Sequence, residues 1–547
     1  MELVNQHVKG IMEECKVRAR DAGLRFDDET LEYIVTNRDL IELSPKVMIP
    51  TLYDYWVNDV KVLSGKGMYE AYPSNPYETV INTRPAISYY NDNNPDWLNV
   101  MIFYHVLGHI DFFQNNLFFK NTWDIDLTGQ ALVDKRLIAK LRAEKGRWLD
   151  YAIEFARGID NLVGYHYELS HLDNHSNGHR LKRIDFYFDV FLQNYRKISH
   201  HEYLKEIDRY NDSSEDEDRF FQEVIGRYPE FEELYQKERK KENKSNLDVM
   251  EYILKYSPFL REDENKWIKS VIQIVRNTSL YFQPQIRSKI MNEGWASYWH
   301  EHLFIQDDRI TGHEADFAKI NASVTSLPKV GLNPYALGMR MFQHIEERED
   351  KGRYSYDYDL LKSHDQKKLY DAKKGTGSDH IFTIRETMND FTFINTYIDQ
   401  EFVSKYNLFV TGKRFNKGKM AWEYYIKSKK AEDYKQMVID TLYHPPDIRV
   451  DTQKSVNGIL YLNHRFEGKP LKKDYLENTM IGIEYLWGGP VHLETSEASL
   501  VPEASANYAN FWDPASPQSN PEAPPPEIQW KRLLYVMENR KLHKREL

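Results

Sequence analysis

The sequence predicts a mainly α fold with a smaller α+β module towards its C-terminal end. Three observations carry that expectation. Apolar residues recur at three- and four-residue spacing through one segment after another of residues 1–430, the period of an amphipathic helix. After about residue 430 the texture changes to short strand-like runs around a single apolar-spaced stretch. Hydrophobic residues make up 41% of the 547 and aromatics 14%, enough to bury a large core and to exclude wholesale disorder.

Residues 1–65 read as helix-rich and amphipathic, as in NQHVKGIMEECKVRARDAG ending at Gly23. The stretch 66–94 is rich in Tyr, Asn and Pro and reads as irregular, with a short strand at RPAISYY. A helix then starts, capped by Asn94, with Pro95 in its first turn and Asp96 at the positive end of its dipole. It runs through His105 and His109 to about Gln114. Helices follow at 131–166 and 182–210. Residues 212–243 (NDSSEDEDRFF, KERKKENK) are strongly charged and read as an exposed insertion. Helices resume at 246–258 and 263–304, the second breaking near QPQ, 283–285, because Pro284 cannot donate a backbone hydrogen bond.

Segments 335–350 and 378–406 complete the helical set. FVTGKRFNKGK, 409–419, lacks the G-x-x-x-x-G-K-[ST] spacing of a phosphate-binding loop and reads as an exposed loop. In the module 432–497, DIRVDTQ, GILYLNHRF and PVHLETSE read as strands, and KKDYLENTMIGIEYLW as a crossover helix. Residues 498–547 read as a Pro-rich flexible tail closed by a short basic helix, 527–545. The expected organisation is thus a helical core over 1–430, the α+β module and the tail.

The net charge is −11, from 73 basic against 84 acidic side chains, which argues against a general binder of nucleic acid or anionic membrane, a local basic patch aside. A single cysteine, Cys15, excludes an intramolecular disulfide and a Cys-rich zinc site. The first twenty residues have no apolar run after a basic start, and no window approaches the roughly 20 apolar residues of a membrane span, so a cytoplasmic protein is expected.

FYHVLGHIDFFQNN, 103–116, carries the chemistry. His105 and His109 are four apart on the predicted helix, so they share a face and can bind one metal. The spacing is that of the metalloprotease H-E-x-x-H helix, but Val106 stands where the catalytic glutamate belongs. A second stretch, IMNEGWASYWHEH (290–302), puts Glu293 and His300 seven residues apart on one face, with small Gly294 and Ala296 letting another helix approach. Two histidines and a glutamate form a set found in catalytic zinc centres that keep an open position. His300 is either a fourth ligand or a residue orienting Glu293. The expected cofactor is a divalent metal, zinc by ligand type. The competing reading is a pair of hydrogen-bonded core histidines.

With Val106 unable to act as a base, either another residue supplies one or the centre does not hydrolyse by that route. Asp111 lies about 200° around the helix from His109 and points away. Glu154, His166, Glu301 and Tyr298 are candidates to be brought in. In LNPYALG, Asn333 caps a helix opened by Pro334, and Tyr335 is either a hydrogen-bond donor to substrate or the packing of a rigid corner.

HVLGHIDFFQNNLFF, MNEGWASYWH and LNPYALGMRMF (332–342) together resemble the signature blocks of the SpoVR family, the stage V sporulation protein R-like proteins. WIKSVIQIVRNTSLYFQPQIRSKIMNEGW and MIGIEYLWGGPVHLE extend the resemblance over roughly residues 10–497. The resemblance implies a role in the spore cortex, a peptidoglycan layer, or in envelope and stress regulation where no spores form. It also implies a serine protein kinase and a von Willebrand-like protein as partners. Peptidoglycan lies outside the cytoplasmic membrane, so a cytoplasmic chain would act on a precursor or small amide, or regulate without catalysing.

Overall fold

Why residues on either side of the 150–280 stretch end up together is clear from their side chains in the computed structural model, which describes residues 2–27, 29–36, 79–122, 127–164, 183–196, 198, 200–212, 217–237, 247–416, 420–499 and 529–547. The 66–78 stretch, His166 and the Pro-rich segment 500–528 lie outside the described residues. The chain divides into two compact units, Met1–Asp150 with Leu280–His444, and Tyr151–Ser279 with Pro445–Leu547.

The first unit is mainly helical. Its small sheet has the order β1 (Glu2–Leu3), β2 (Thr30–Val35), β4 (Ala86–Asn91), β3 (Thr79–Ile81), with β2 and β4 parallel. The expected strand at RPAISYY is β4; β2, TLEYIV, falls where helix was expected. Helix α1 (Gln6–Asp21) is capped by Asn5, whose side chain accepts from the Val8 amide. Helix α2 (Asp96–Asn115) is buried on all sides from Val100 to Phe113, as a helix apolar all round must be. Pro95, not Asn94, holds its N-cap position; the Asn94 side chain instead reaches Asn99 at 3.3 Å.

Helix α3 (Lys289–Ile305) packs on α2, α4 (Glu314–Thr325) packs on α5 (Pro334–Asp350), which itself lies on α3, and α6 (Gly377–Thr387) packs on both α5 and α2. The preceding helix, Lys266–Arg287, continues through Pro284 and gives way only at Ser288, beyond the expected QPQ break; the Ser288 hydroxyl donates to the Pro284 carbonyl. Phe103, Leu107, Trp295, Leu337, Phe342 and Ile381 join these helices in one core. The expected loop at 409–419 begins as a strand: β5 (Val410–Asn416) pairs antiparallel with β6 (Ala421–Ser428).

The second unit holds a five-stranded sheet, β7 (Ile448–Val450), β8 (Leu460–His464), β9 (Val491–Ser499), β10 (Gln529–Glu538) and β11 (Lys541–Glu546), in the order β11-β10-β9-β8-β7. The predicted strands and crossover helix are there: α7 (Lys473–Trp487) connects the parallel pair β8 and β9. The basic helix expected over 527–545 is instead the β10–β11 hairpin. Its two turn residues, Asn539 (φ 53°) and Arg540 (φ 59°), are both left-handed, the conformation that a two-residue hairpin turn needs.

The module does not stand alone over 432–497. Gly482 of α7 packs on Phe155, Trp487 stacks on Tyr252, and the Ser257 hydroxyl donates to the carbonyls of Leu486 and Trp487, so residues from 151–279 belong to this unit rather than to the helical core. Nor is the charged stretch 212–243 merely exposed. Phe220, Phe221, Phe231 and Tyr235 are buried against Phe186, Tyr187 and Phe191. Among its described residues Arg219, Glu223, Arg227, Glu230, Glu233 and Lys237 are exposed while its aromatics build a second core.

Glu494 and Glu497 of β9 bring a pH dependence to this unit. Burial alone would raise both carboxyls, but hydrogen bonds from Arg532, Tyr461 and Lys454 to Glu494, and from Lys544, Tyr535 and Lys473 to Glu497, hold each down at about 2. A carboxyl with a depressed folded pKa stabilises the fold above its unfolded value, and that stability is lost as pH falls towards the folded one. Denaturation midpoints should therefore drop between pH about 4.5 and about 2, and the Glu494→Gln/Glu497→Gln variant should flatten that slope. An unchanged slope would exclude these two groups as its source.

Candidate metal centre

Three glycines determine how closely the site-bearing helices approach. A Cβ on Gly108, between the two histidines of α2, would lie 2.8 Å from Ala296 Cα of α3. One on Gly294 of α3, next to Glu293, would lie 2.4 Å from Gly338 Cα of α5. Only hydrogen fits at these crossings. The close contact of α2 with α3 is what brings His105, His109 and Glu293 within bonding range of one ion. Asp390 fixes the start of α3: its carboxylate accepts from the Ile290 and Met291 amides, both at 2.9 Å, one turn before Glu293. Burial pushes that carboxyl up to about 7.

The ligand atoms of His105, His109 and Glu293 lie within 4.8 Å of one another. His109 Nε2 is 3.6 Å from Glu293 Oε2. Ligands at zinc distances of about 2.0–2.2 Å in a tetrahedron sit roughly 3.5 Å apart. Closing onto an ion thus takes shifts on the order of 1 Å, within reach of side-chain rotation. The donor set, two imidazoles and one carboxylate, suits zinc or a similar divalent ion.

The hydrogen bonds behind the histidines select their tautomers. Asn321 of α4 donates its amide to Glu301 at 2.6 Å, which turns its Oδ1 towards His300 Nε2, 2.9 Å away. His300 Nε2 then carries the proton, its Nδ1 accepts, and His105 Nδ1, 2.9 Å from it, donates. His109 Nδ1 likewise faces Asn292 Oδ1 at 2.9 Å and donates. In both rings Nδ1 is thereby the donor and Nε2 the nitrogen that would ligate a metal, the arrangement that outer partners impose on metal-binding histidines. Breaking the relay at its far end should weaken metal binding: Asn321→Leu is expected to lower affinity about ten- to a hundredfold, read by competition with a chromogenic chelator. Unchanged affinity would remove the tautomer argument.

His300, expected as a fourth ligand or an orienting residue, has both ring nitrogens engaged with His105 and Asn321 and lies outside the three-residue group. Tyr335 stacks on His105 with ring centres 6.0 Å apart, at the start of α5, where the Asn333 side chain accepts from the Tyr335 and Ala336 amides and Pro334 opens the helix. Tyr335 and Glu293 are half-buried while both histidines are buried, so the site opens on their side. Tyr298 is on another face of α3, stacked on Trp295 and donating to Glu346 at 2.7 Å. Burial first, then the Glu346 charge, pushes its hydroxyl far above the usual tyrosine range. Glu154 is exposed on the helix Arg147–Arg157 and belongs to the second unit. Asp111, as its angle on the helix implies, points away and accepts from Trp295 and the Arg25 amide.

Asn292 and Asn321 went unforeseen. Asn292 sits beside Glu293 in the quoted block, a visible clue; Asn321 is on a separate helix and carries no sequence signal.

Fold and site define a mainly helical protein whose two-histidine, one-carboxylate group lies where two glycine-packed helices meet. Over residues 3–444 the chain matches the family described as SpoVR like protein. The chain belongs to that family. The match ends at residue 444, short of the 497 to which the resemblance extends. The uncharacterized protein YcgB of Escherichia coli (strain K12) is similar to it, 24% identical over 396 residues, 69% of this chain and 69% of that protein. No solved structure matches. Among the described residues no helix is long and apolar enough to cross a membrane.

Proposed function

We propose that this SpoVR-family chain holds a divalent cation, zinc by ligand type, at His105, His109 and Glu293 and performs hydrolase-type chemistry on an amide substrate in spore-cortex or envelope metabolism. The observation that carries the reading is the placement of His109 Nε2 3.6 Å from Glu293 Oε2 while its Nδ1 donates to Asn292: with the ring neutral, a lone pair faces a carboxylate, an arrangement that is repulsive until a cation sits between them. A bound ion supplies Lewis acidity at the opening of the site. Glu293 and the two imidazoles hold it, and Tyr335, stacked on His105 at the half-buried edge, is positioned to donate a hydrogen bond to a substrate oxygen. The kinase and von Willebrand-like partners and the cytoplasmic location belong to the same proposal, by family resemblance.

A second reading, a metal-holding regulator without catalysis, is favoured by two observations. Val106, in the place of the usual base, is fully buried, and Glu301 is taken up by Asn321.

The test is metal content by elemental mass spectrometry on protein purified without a histidine tag, beside the His105→Ala/His109→Ala variant. About one equivalent in the wild type, lost in a variant whose circular dichroism is unchanged, is expected. No metal in either after reconstitution would make the pair a hydrogen-bonded core and end the proposal. Metal without chelator-sensitive hydrolysis of peptidoglycan precursors would select the second reading.

A further inference from the structure

The β5–β6 hairpin has a solvent-facing chemistry that the metal centre does not use. Its register sets Thr411 opposite Ile426, Lys413 opposite Tyr424 and Phe415 opposite Trp422, so these six side chains share one face. The face is open: Trp422 is 50% exposed, Tyr424 57% and Ile426 51%. Lys413 Nζ lies 4.8 Å from the Trp422 ring centre and 6.0 Å from that of Tyr424, and Phe415 packs 5.4 Å from Trp422. On the reverse face the Arg414 guanidinium lies over Tyr425 at 5.6 Å.

The charge is out of keeping with the rest of the chain. Lys413, Arg414, Lys427, Lys429 and Lys430 stand against the single carboxylate of Glu423 among described residues 410–430, in a protein whose net charge is −11. Cross-strand pairing of the rings accounts for the hairpin's own cohesion, because a two-stranded sheet has little else to hold it. It does not account for half of each ring remaining in water beside cations. That combination suits a partner offering both flat π-faces and negative charge.

We infer that this hairpin binds single-stranded nucleic acid. Trp422 and Tyr424 are two residues apart on one strand face, about 7 Å, which leaves room for a base on each ring. Lys413 lies beside these rings, where the phosphates of an extended strand would run, and Arg414, on the reverse face, adds to the positive charge of the same strand. A duplex keeps its base faces stacked away from such a platform. An anionic membrane fits less well, because Lys413 sits among the rings rather than at their rim and would be carried into the apolar layer with them.

The experiment is fluorescence anisotropy of end-labelled 15-mers of deoxythymidine and of uridine with the full-length chain, at low and at physiological salt. Binding is expected with a dissociation constant on the order of 1–100 µM, weakening as salt rises. Trp422→Ala/Tyr424→Ala should weaken it at least about tenfold, and Trp422→Phe/Tyr424→Phe should restore most of the affinity. Lys413→Gln should lower the salt slope. Relative affinity for the two 15-mers tells DNA from RNA. Three results would overturn the inference: no binding of either 15-mer at low salt, a duplex bound as tightly as the single strand with no effect of the ring variant, or binding confined to phosphatidylglycerol vesicles.

Discussion

Gly338→Ala should destabilise the protein severely and disrupt its metal centre. The new methyl would stand 2.1 Å from the Ile290 carbonyl oxygen and 2.7 Å from Gly294 Cα, both backbone atoms of α3. No rotamer change relieves such a contact; α3 and α5 have to separate. Two effects compete. Alanine in place of a mid-helix glycine favours the helix by about 1 kcal/mol. Overpacking a tight interface costs about 1–3 kcal/mol, and more when only backbone can yield. Packing wins, with a net loss expected of at least about 2 kcal/mol and a parallel fall in metal affinity as Glu293 moves with α3. Gly10 is the control. It lies in α1 with no atom within 4 Å of where its methyl would stand, so Gly10→Ala should leave stability unchanged or raise it by up to about 1 kcal/mol. Chemical denaturation of the two variants side by side decides the matter. Equal stabilities would mean that the helix crossing is looser than the geometry requires.

That crossing also explains which parts of the molecule were legible beforehand. Periodicity alone puts His105 with His109, and Glu293 with His300, on shared helix faces, because side-chain direction along a helix is local geometry. The small residues of the second block hint that another helix comes close. Neither reveals which helix it is, and the facing of Gly294 by Gly338 is a tertiary fact. The same limit hid the relay through Asn321, whose role depends on α4 lying against His300.

Strand against helix was missed where periodicity is ambiguous. In LLYVM, 533–537, an unbroken apolar run fits a buried strand or a buried helix turn equally well, and the deciding signal was the Asn539-Arg540 turn. The stretch 212–243 misled in another way. Its charge density is that of a solvated segment, yet four aromatics spaced through it are enough to pack against Phe186, Tyr187 and Phe191. The second unit draws on two distant stretches of chain because the sheet needs cover that its own module lacks, and no linker composition marks the join.

Asp111→Ala should cost about 3–5 kcal/mol, because it strands a buried cation. Arg385 and Asp111 both have side chains of 0% exposure, with Arg385 Nε 3.2 Å from Asp111 Oδ2. Around the guanidinium lie the rings of Trp295 and Phe382. Burial lowers the Arg385 pKa and pushes the Asp111 carboxyl up to about 6 despite the partner's charge, so both charged forms are held against a desolvation cost. A buried pair of this kind is costly to break and far less costly to replace. Asp111→Leu/Arg385→Met should therefore recover most of the loss, short of the bonds that Asp111 accepts from Trp295 and the Arg25 amide.

The pH dependence gives an independent reading of the same pair. With its folded pKa raised above the unfolded value, Asp111 binds its proton more tightly in the native state, so its contribution to stability falls as pH rises from about 4 to about 6. The double variant should lack that slope. Because α2 carries Asp111 on the face away from His105 and His109, the double variant should also retain its metal. Loss of metal despite recovered stability would show that the buried pair positions α2 for the site as well as neutralising charge behind it.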